Sequence, residues 1–333
     1  MKQRTIANQS IGEVGLGCMG MSYAYGKAND EESLTVLSRA LEIGVTHWDT
    51  ADLYGAGDNE RLLAKALKGN RDKVFLATKF GNVTDRTLTS HQDLVAADAP
   101  WIVDGTPAYA RKSVDLSLEK LGTDVIDLYY IHRIDERVPI EESIGEMAKF
   151  VEEGKVRFLG VSEVNPETLR RAHKTHPIAA VQNELSLWTR DSLDDILPVC
   201  EELDIAFVPY SPLGRGFLTG QIKSFDDLPE DDWRRLNPRF QPEQFEINFE
   251  IVRVVEKIAA EQNASVAQVA LAWVLALSPK VCPIPGTKRL KYLEENAGAT
   301  NVTLTSTQLE TLNSLSEAAG TRYPEAFMSF TKK

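Results

Sequence analysis

Short runs of Val, Ile, Leu and Phe recur along the chain without polar alternation, and longer stretches of helical period separate them. A strand that shows no alternation is buried on both faces, which requires helices packed against one side of its sheet. The runs predict eight strands, at residues 13–17, 45–49, 73–79, 125–132, 156–162, 180–182, 205–210 and 281–284. Amphipathic stretches between them open at recognisable helix starts: Asp30 before 31–43, Asp58 before 59–67, Thr106-Pro107 before 108–121 and Asn165-Pro166 before 167–173. Each helix can return the chain for a parallel strand. Repeated βα units without a linker rich in Pro, Gly or Ser predict an α/β protein, a single (β/α)8 TIM barrel spanning 1–333. That fold takes about 250 residues before insertions. The remaining length falls in two loops, 80–106 and 211–244, and in a C-terminal tail of about 320–333. Both loops follow the C-terminal end of a strand, where barrel enzymes build their sites.

Composition narrows the partners. With 37 Lys and Arg against 49 Asp and Glu, the formal charge is -12, so nucleic acid, bound through cationic contacts to phosphate, is not an expected partner. The longest apolar run, 269–277, falls short of the roughly 20 residues a spanning helix needs, so no membrane partner is expected. Basic residues near the N-terminus have no apolar stretch behind them, as a secretory signal would. Cys18, Cys200 and Cys282 are too far apart for metal-ligand spacing, and their odd number makes no disulfide framework. The expected compartment is the cytoplasm.

Gly15-Leu16-Gly17-Cys18-Met19-Gly20 satisfies the G-x-G-x-x-G dinucleotide fingerprint. That motif opens a helix at its third glycine, whereas residues 21–26 are turn-like and the next helix starts only near Asp30. The preferred reading is a first barrel strand ending in a glycine-rich turn, where backbone passes close to a ligand. No P-loop, H-E-x-x-H, C-x-x-C or G-x-S-x-G motif is present. His173 and His176 sit at a helix end beside Lys174 and read as solvated side chains.

Polar residues gather where consecutive strands finish: Asp49 after the second, Lys79 after the third and His132 after the fourth, with Tyr54 in a short loop past Asp49. Taken singly, Asp49 reads as a turn cap, Lys79 as a surface lysine, His132 as a core histidine and Tyr54 as loop packing. Taken together they share one rim, where a lysine drawn in behind Val74-Phe75-Leu76-Ala77 needs the counter-charge that Asp49 supplies. A cation beside a phenol favours its ionised form, so Tyr54 is expected to fall by about 1 to 3 pKa units from 10 and to serve as a general acid near pH 7.

The stretches at 48–55 (WDTADLYG), 78–79 (TK), 130–133 (YIHR), 160–163 (GVSE), 209–214 (PYSPLG) and 284–288 (IPGTK) resemble, in order and over nearly the whole chain, the aldo-keto reductase superfamily. Within it, residues 211–220 (SPLGRGFLTG) are similar to the branch of pyridoxal reductases, plant auxin-induced-type reductases and perakine reductase. The resemblance implies a nicotinamide-dependent carbonyl reductase with Asp49, Tyr54, Lys79 and His132 as its catalytic tetrad. It implies that Tyr54 protonates the carbonyl oxygen as hydride arrives, and that His132 orients the substrate. It also implies cofactor contacts from Gly17, Cys18, Met19 and Asp49, with Ser162 and Gln182 on the carboxamide and Tyr210 stacked on the nicotinamide. Leu213 and Gly214 would open a loop over the pyrophosphate, Glu295 with Asn296 would read the adenine, and Ser211, Gly286, Thr287 and Lys288 are further expected cofactor contacts. Met19, Tyr25, Trp101 and Arg133 are the candidate substrate-pocket residues. Three positions depart from the family pattern: Glu163 stands where many relatives have Asn, Leu185 where an aromatic is common and Tyr292 where many carry Arg. Glu163 cannot donate to a carboxamide oxygen as an amide does.

Lys288, Arg289 and Lys291 form a basic patch where a helix at 290–297 begins. Cations at a helix N-terminus oppose its dipole. A solvated basic face is one reading, and an anion bound there is the other, for which the 2'-phosphate of NADPH is the candidate. The expected function is reduction of a small aldehyde or ketone by NADPH. The alternative is a cofactor-binding regulatory subunit of the same fold with slow or no turnover, and an oligomer is compatible with either.

Overall fold

The computed structural model describes residues 1–328 and Thr331, so positions 329, 330, 332 and 333 of the expected tail lie outside the described residues. An antiparallel hairpin of β1 (Gln3–Ile6) and β2 (Gln9–Gly12) precedes seven parallel strands that pair in chain order. These are β3 (Leu16–Gly17), β4 (His47–Asp49), β5 (Phe75–Phe80), β6 (Ile126–Ile131), β7 (Val156–Ser162), β8 (Ile178–Gln182) and β9 (Ala206–Phe207). The expected eighth strand, at 281–284, is not regular. Residues 281–286 form single parallel bridges to both edges of the sheet, Phe207 with Val281 and Gly17 with Gly286, and so close a (β/α)8 barrel.

Prolines explain the irregularity. Cys282 and Ile284 donate to the carbonyls of Phe207 (2.8 Å) and Pro209 (3.1 Å), on the side of β9. Pro283 and Pro285 face β3, where they accept from the amides of Gly15 (2.9 Å) and Gly17 (3.3 Å) but have no N–H to return. Half of a ladder is therefore missing along that seam. The backbones also run close there, since a Cβ on Gly17 would meet the Ile284 carbonyl oxygen at 2.8 Å.

Alternation within the buried strands sorts residues between two layers. Phe75 and Ala77 of β5, with Leu128 and Tyr130 of β6, join the barrel interior, while Leu76, Phe80, Tyr129 and Ile131 pack against the helices. Both layers are apolar, which is why these strands read as unbroken hydrophobic runs. Ile6 and Ile11 of the hairpin belong to the interior cluster and plug it from one end. The hairpin was not expected from the sequence.

Helix starts agree with the sequence at two points and differ at two. Thr106 caps helix Pro107–Leu121 by accepting from Tyr109 N, and Asn165 caps helix Pro166–Thr175 by accepting from Thr168 N. The expected cap Asp30 is instead the first residue of helix Asp30–Glu42, because Asn29 takes the amides of Glu31 and Glu32. Asp58 likewise opens helix Asp58–Leu67 behind Gly57 at φ 94°, a conformation that glycine adopts without strain. The loop after β5 carries one short helix, Gln92–Ala96, and the loop after β9 is built of 3-10 turns. Among the described residues, no helix is long and apolar enough to cross a membrane.

Candidate active site

Register brings three strand ends to one rim. Asp49 pairs with Ala77 and Lys79 pairs with Tyr130, so each ending residue shares the inward parity of its neighbour's interior side chain. Lys79 is fully buried and ion-paired to Asp49 Oδ1, and it also donates to the Thr50 carbonyl (2.8 Å). Gln182 Nε2 donates to the other oxygen of Asp49 (2.8 Å). Removing one partner of such a pair strands a buried charge, at a cost of about 3–5 kcal/mol. The Lys79 ammonium lies 5.3 Å from the Tyr54 ring centroid and 5.9 Å from that of Tyr130. Gly160 of β7 makes room for the Tyr130 ring, which a Cβ there would meet at 2.4 Å. The Tyr54 and His132 rings stand edge to face with centroids 5.9 Å apart. All four expected tetrad residues thus meet in one enclosure.

Electrostatics there correct one expectation. Burial, followed by the negative charge of Asp49, pushes the Tyr54 phenol well above its ordinary value of 10, and Arg133 only partly offsets this. The expected lowering by Lys79 does not occur, because that cation is held by Asp49 and the phenol has lost its water. Burial also lowers the Lys79 ammonium, against the pull of Asp49. For His132, burial together with Lys79 and Arg133 holds the imidazole well below 6.5, so it is neutral near pH 7. Its Nδ1 is enclosed without a hydrogen-bond partner.

The turn after β3 opens only a short 3-10 helix, Met19–Met21, so the dinucleotide fingerprint has no helix behind it, as the preferred reading requires. Gly17 packs against the seam, and Met19 is half-buried. The main chain of Cys18 is engaged: its amide donates to Asp49 O (2.9 Å), and its carbonyl accepts from Asn59 Nδ2 (2.9 Å). Asn59 also accepts from Thr50 Oγ1 (2.6 Å), which couples the turn, the end of β4 and the following helix. Nothing in the sequence singled out Asn59, because its partners lie in three separate segments.

Ser162 and Gln182 lie side by side at the ends of β7 and β8, the serine donating to the Gln182 carbonyl (2.8 Å). Tyr210 is half-buried beside them. Its hydroxyl donates to Glu163 Oε1 (2.9 Å) and lies 3.2 Å from the Tyr323 hydroxyl. Glu163 sits at φ 55°, a left-handed conformation rare for a residue with a Cβ. Its Oε2 pairs with Arg322 at 2.5 Å. Burial alone would raise this carboxyl, but Arg322 and Arg133 outweigh burial and hold it below its ordinary value. Glu184 pairs with Arg215 at 3.0 Å, and Arg215 in turn donates to the Arg322 carbonyl (3.0 Å). The loop after β9 and the tail are thereby pinned to the barrel rim. Ser211, Gly214, Arg215 and Gly216 all have positive φ, so this loop is tightly wound. None of Glu184, Arg215, Arg322 and Tyr323 was singled out in the sequence, whose local patterns carry no trace of such distant pairs.

Of the remaining expected residues, Arg133 and Tyr25 lie within reach of the charged groups of the rim. Tyr25 stands edge to face with Trp233 at 5.7 Å, and Trp101 is half-buried in the loop after β5. Arg133 is half-buried, with Nη1 donating to the His132 carbonyl (3.0 Å). At the seam, Lys288 Nζ donates to the carbonyls of Tyr25 (2.9 Å), Gly26 (3.2 Å) and Lys27 (2.7 Å). Helix Leu290–Gly298 follows without a side-chain cap on its first amides. On that helix Asn296 is buried and Glu295 half-buried.

Comparison with known proteins fits this geometry. The profile of the aldo/keto reductase family matches residues 13–317. The aldo-keto reductase yakc [NADP(+)] of Schizosaccharomyces pombe is 43% identical over 330 residues, covering 96% of this chain and 94% of that protein. Probable aldo-keto reductase 1 of Glycine max is 42% identical over 328 residues, covering 97% and 91%. A glycerol dehydrogenase of Gluconobacter oxydans superposes with a TM-score of 0.83 at 30% identity, covering 93% of this chain and 94% of its own. The holo form of an aldo-keto reductase from Bacillus halodurans superposes with a TM-score of 0.76 at 26% identity, covering 96% and 97%. The barrel, its rim and its relatives agree: the chain belongs to the aldo/keto reductase family.

Proposed function

We propose that this protein reduces an aldehyde or ketone to the alcohol with NADPH. The observation that carries the reading is the enclosure of Tyr54, His132 and the Lys79–Asp49 pair at one rim. Its relative from Schizosaccharomyces pombe is named for NADP(+), which supports the choice of cofactor. The chain's own residues fit a dinucleotide. The orphaned Nδ1 of His132 and the uncapped helix start at Leu290 offer unmet polar capacity. Tyr210, Ser162 and Gln182 would hold the nicotinamide end, and Ser211, Leu213 and Gly214 the pyrophosphate. Gly286, Thr287 and Lys288 would face the adenosine phosphate, with Glu295 and Asn296 at the adenine. The stretch 211–220 supports placing the chain in the branch of pyridoxal, auxin-induced-type and perakine reductases.

When bound, NADPH supplies hydride. Tyr54 holds its proton throughout the neutral range, because burial keeps the phenol un-ionised, and it surrenders that proton only to an oxygen that is gaining charge. Neutral His132 can donate a hydrogen bond to the same oxygen without adding a charge that burial would oppose. Asp49 fixes Lys79 behind the phenol, where the ammonium stabilises the phenolate left after transfer. Tyr54→Phe should keep NADPH affinity and lower kcat by roughly 10² to 10⁴, the usual contribution of a positioned acid. The loss of NADPH absorbance with aldehydes reads this directly, once a deuteride isotope effect shows that chemistry limits the rate. An unchanged kcat removes Tyr54 from the mechanism, and tight cofactor binding with no turnover of any carbonyl favours the regulatory-subunit alternative.

A further inference from the structure

Charge around the rim is balanced in pairs except at Arg133 and Arg239, and Arg239 is held by Thr189 Oγ1 (2.6 Å) and the Gly320 carbonyl (3.2 Å). Lys79 is matched by Asp49, Arg322 by Glu163 and Arg215 by Glu184. Arg133 follows His132 directly, and its one recorded side-chain hydrogen bond goes to that residue's own carbonyl (3.0 Å). Among the described residues, no carboxylate lies within ion-pair distance of it. Glu163 is the negative charge that acts on Arg133, yet both of its oxygens are engaged, Oε1 by Tyr210 and the Glu184 amide and Oε2 by Arg322. The guanidinium is close enough for its charge to act on Tyr54, His132 and Tyr210, which surround the reacting centre.

A second, independent observation points the same way. Arg322 is 6% exposed, and its Nη1 is buried without any hydrogen-bond partner. Arg322 and Arg133 also repel one another. A buried donor left unmet and two like charges that repel one another both cost free energy, and one oxyanion between them would relieve both. Counting the groups at the rim, Lys79, Arg133, Arg215, Arg239 and Arg322 against Asp49, Glu163 and Glu184, five cations face three anions.

We propose that the carbonyl substrate carries a carboxylate or phosphate, which Arg133 binds with help from Nη1 of Arg322 while the carbonyl oxygen meets Tyr54 and His132. This rests on the reductase reading above and adds the substrate class. Arg133 is then the residue that selects among carbonyls, and the tail contributes to selection through Arg322.

The test compares matched pairs with the full chain and NADPH. One pair is 4-carboxybenzaldehyde with methyl 4-formylbenzoate, whose rings are similarly activated; the other is glyceraldehyde 3-phosphate with glyceraldehyde. The pairs separate a carboxylate from a phosphate preference. For at least one pair, the anionic member should show a kcat/KM about tenfold to hundredfold higher, the difference residing in KM, as a charge-assisted hydrogen bond contributes. Arg133→Met should bring that ratio close to one, whatever it does to both rates in common, and Arg133→Lys should restore part of it. A native enzyme that uses neutral and anionic members alike overturns the proposal, as does a preference that survives Arg133→Met. If no carbonyl is reduced, the reductase reading fails by itself. Calorimetric titration of the NADP+-mixed protein with 4-carboxybenzaldehyde and with its ester then decides the anion site: acid-selective binding lost in Arg133→Met supports it, and equal binding overturns it.

Discussion

Tyr54 and His132 keep their neutral forms around pH 7 for the same reason, the loss of water on burial, although one group is an acid and the other a base. Sequence can count the charges beside a phenol but not the water removed from it, so the expected lowering of Tyr54 had the wrong sign. The meeting of these side chains was legible because Asp49, Lys79 and His132 stand where consecutive apolar runs finish, and successive parallel strands send such ends to one rim. His47 offers a test of the same physics in the barrel interior. It is fully buried, both ring nitrogens lack partners, and burial lowers its pKa from 6.5 to about 4. Between those values the unfolded chain binds a proton that the folded one refuses, so stability should fall as pH drops through this window and then level off. The size is on the order of 3 kcal/mol. In His47→Leu, the urea midpoint should decline less between pH 6.5 and 4 than in the native protein, and an identical decline would show that His47 does not titrate as described.

Among elements, the loop after β9 and the tail show what a local reading leaves out. The loop was expected at the catalytic face, and Arg215 and Arg322 reach Glu184 and Glu163 across 31 and 159 positions of chain. No helical or strand period marks such pairs. Glu163, conspicuous as a departure from the family's Asn, finds its explanation there: it is the carboxylate that receives the tail. The helix at Leu290 shows the opposite case, where sequence located the element but not the bonds of its neighbour. Lys288 holds the Tyr25–Lys27 carbonyls, and burial followed by the charge of Arg289 lowers its pKa. For Lys288 to receive a 2'-phosphate as proposed, it must share its donors with that turn. Lys288→Ala should weaken NADPH about tenfold to a hundredfold while NADH changes little, as measured by fluorescence titration of each cofactor. Equal losses for both would confine Lys288 to bracing the turn.

At the scale of the whole molecule, the two ends of the chain finish opposite faces of one barrel. The N-terminal hairpin fills the interior with Ile6 and Ile11, and Arg322 and Tyr323 close over the rim that carries the tetrad. The expected barrel and its strand order were legible from eight unbroken apolar runs. The hairpin escaped because two four-residue strands are too short to show a period. The seam beside the eighth segment has a consequence for how the barrel breathes. Continuous ladders join β5, β6 and β7, whereas the first and last strands are joined through carbonyls of two prolines. A closed barrel under thermal motion should part along that line, opening like a slit cylinder next to the turn at Gly17. Amide protons of Gly15 and Gly17 should therefore exchange with deuterated water faster than those of Leu128 and Tyr130, although all are internal. Equal protection at the two places would mean that the barrel opens only as a whole.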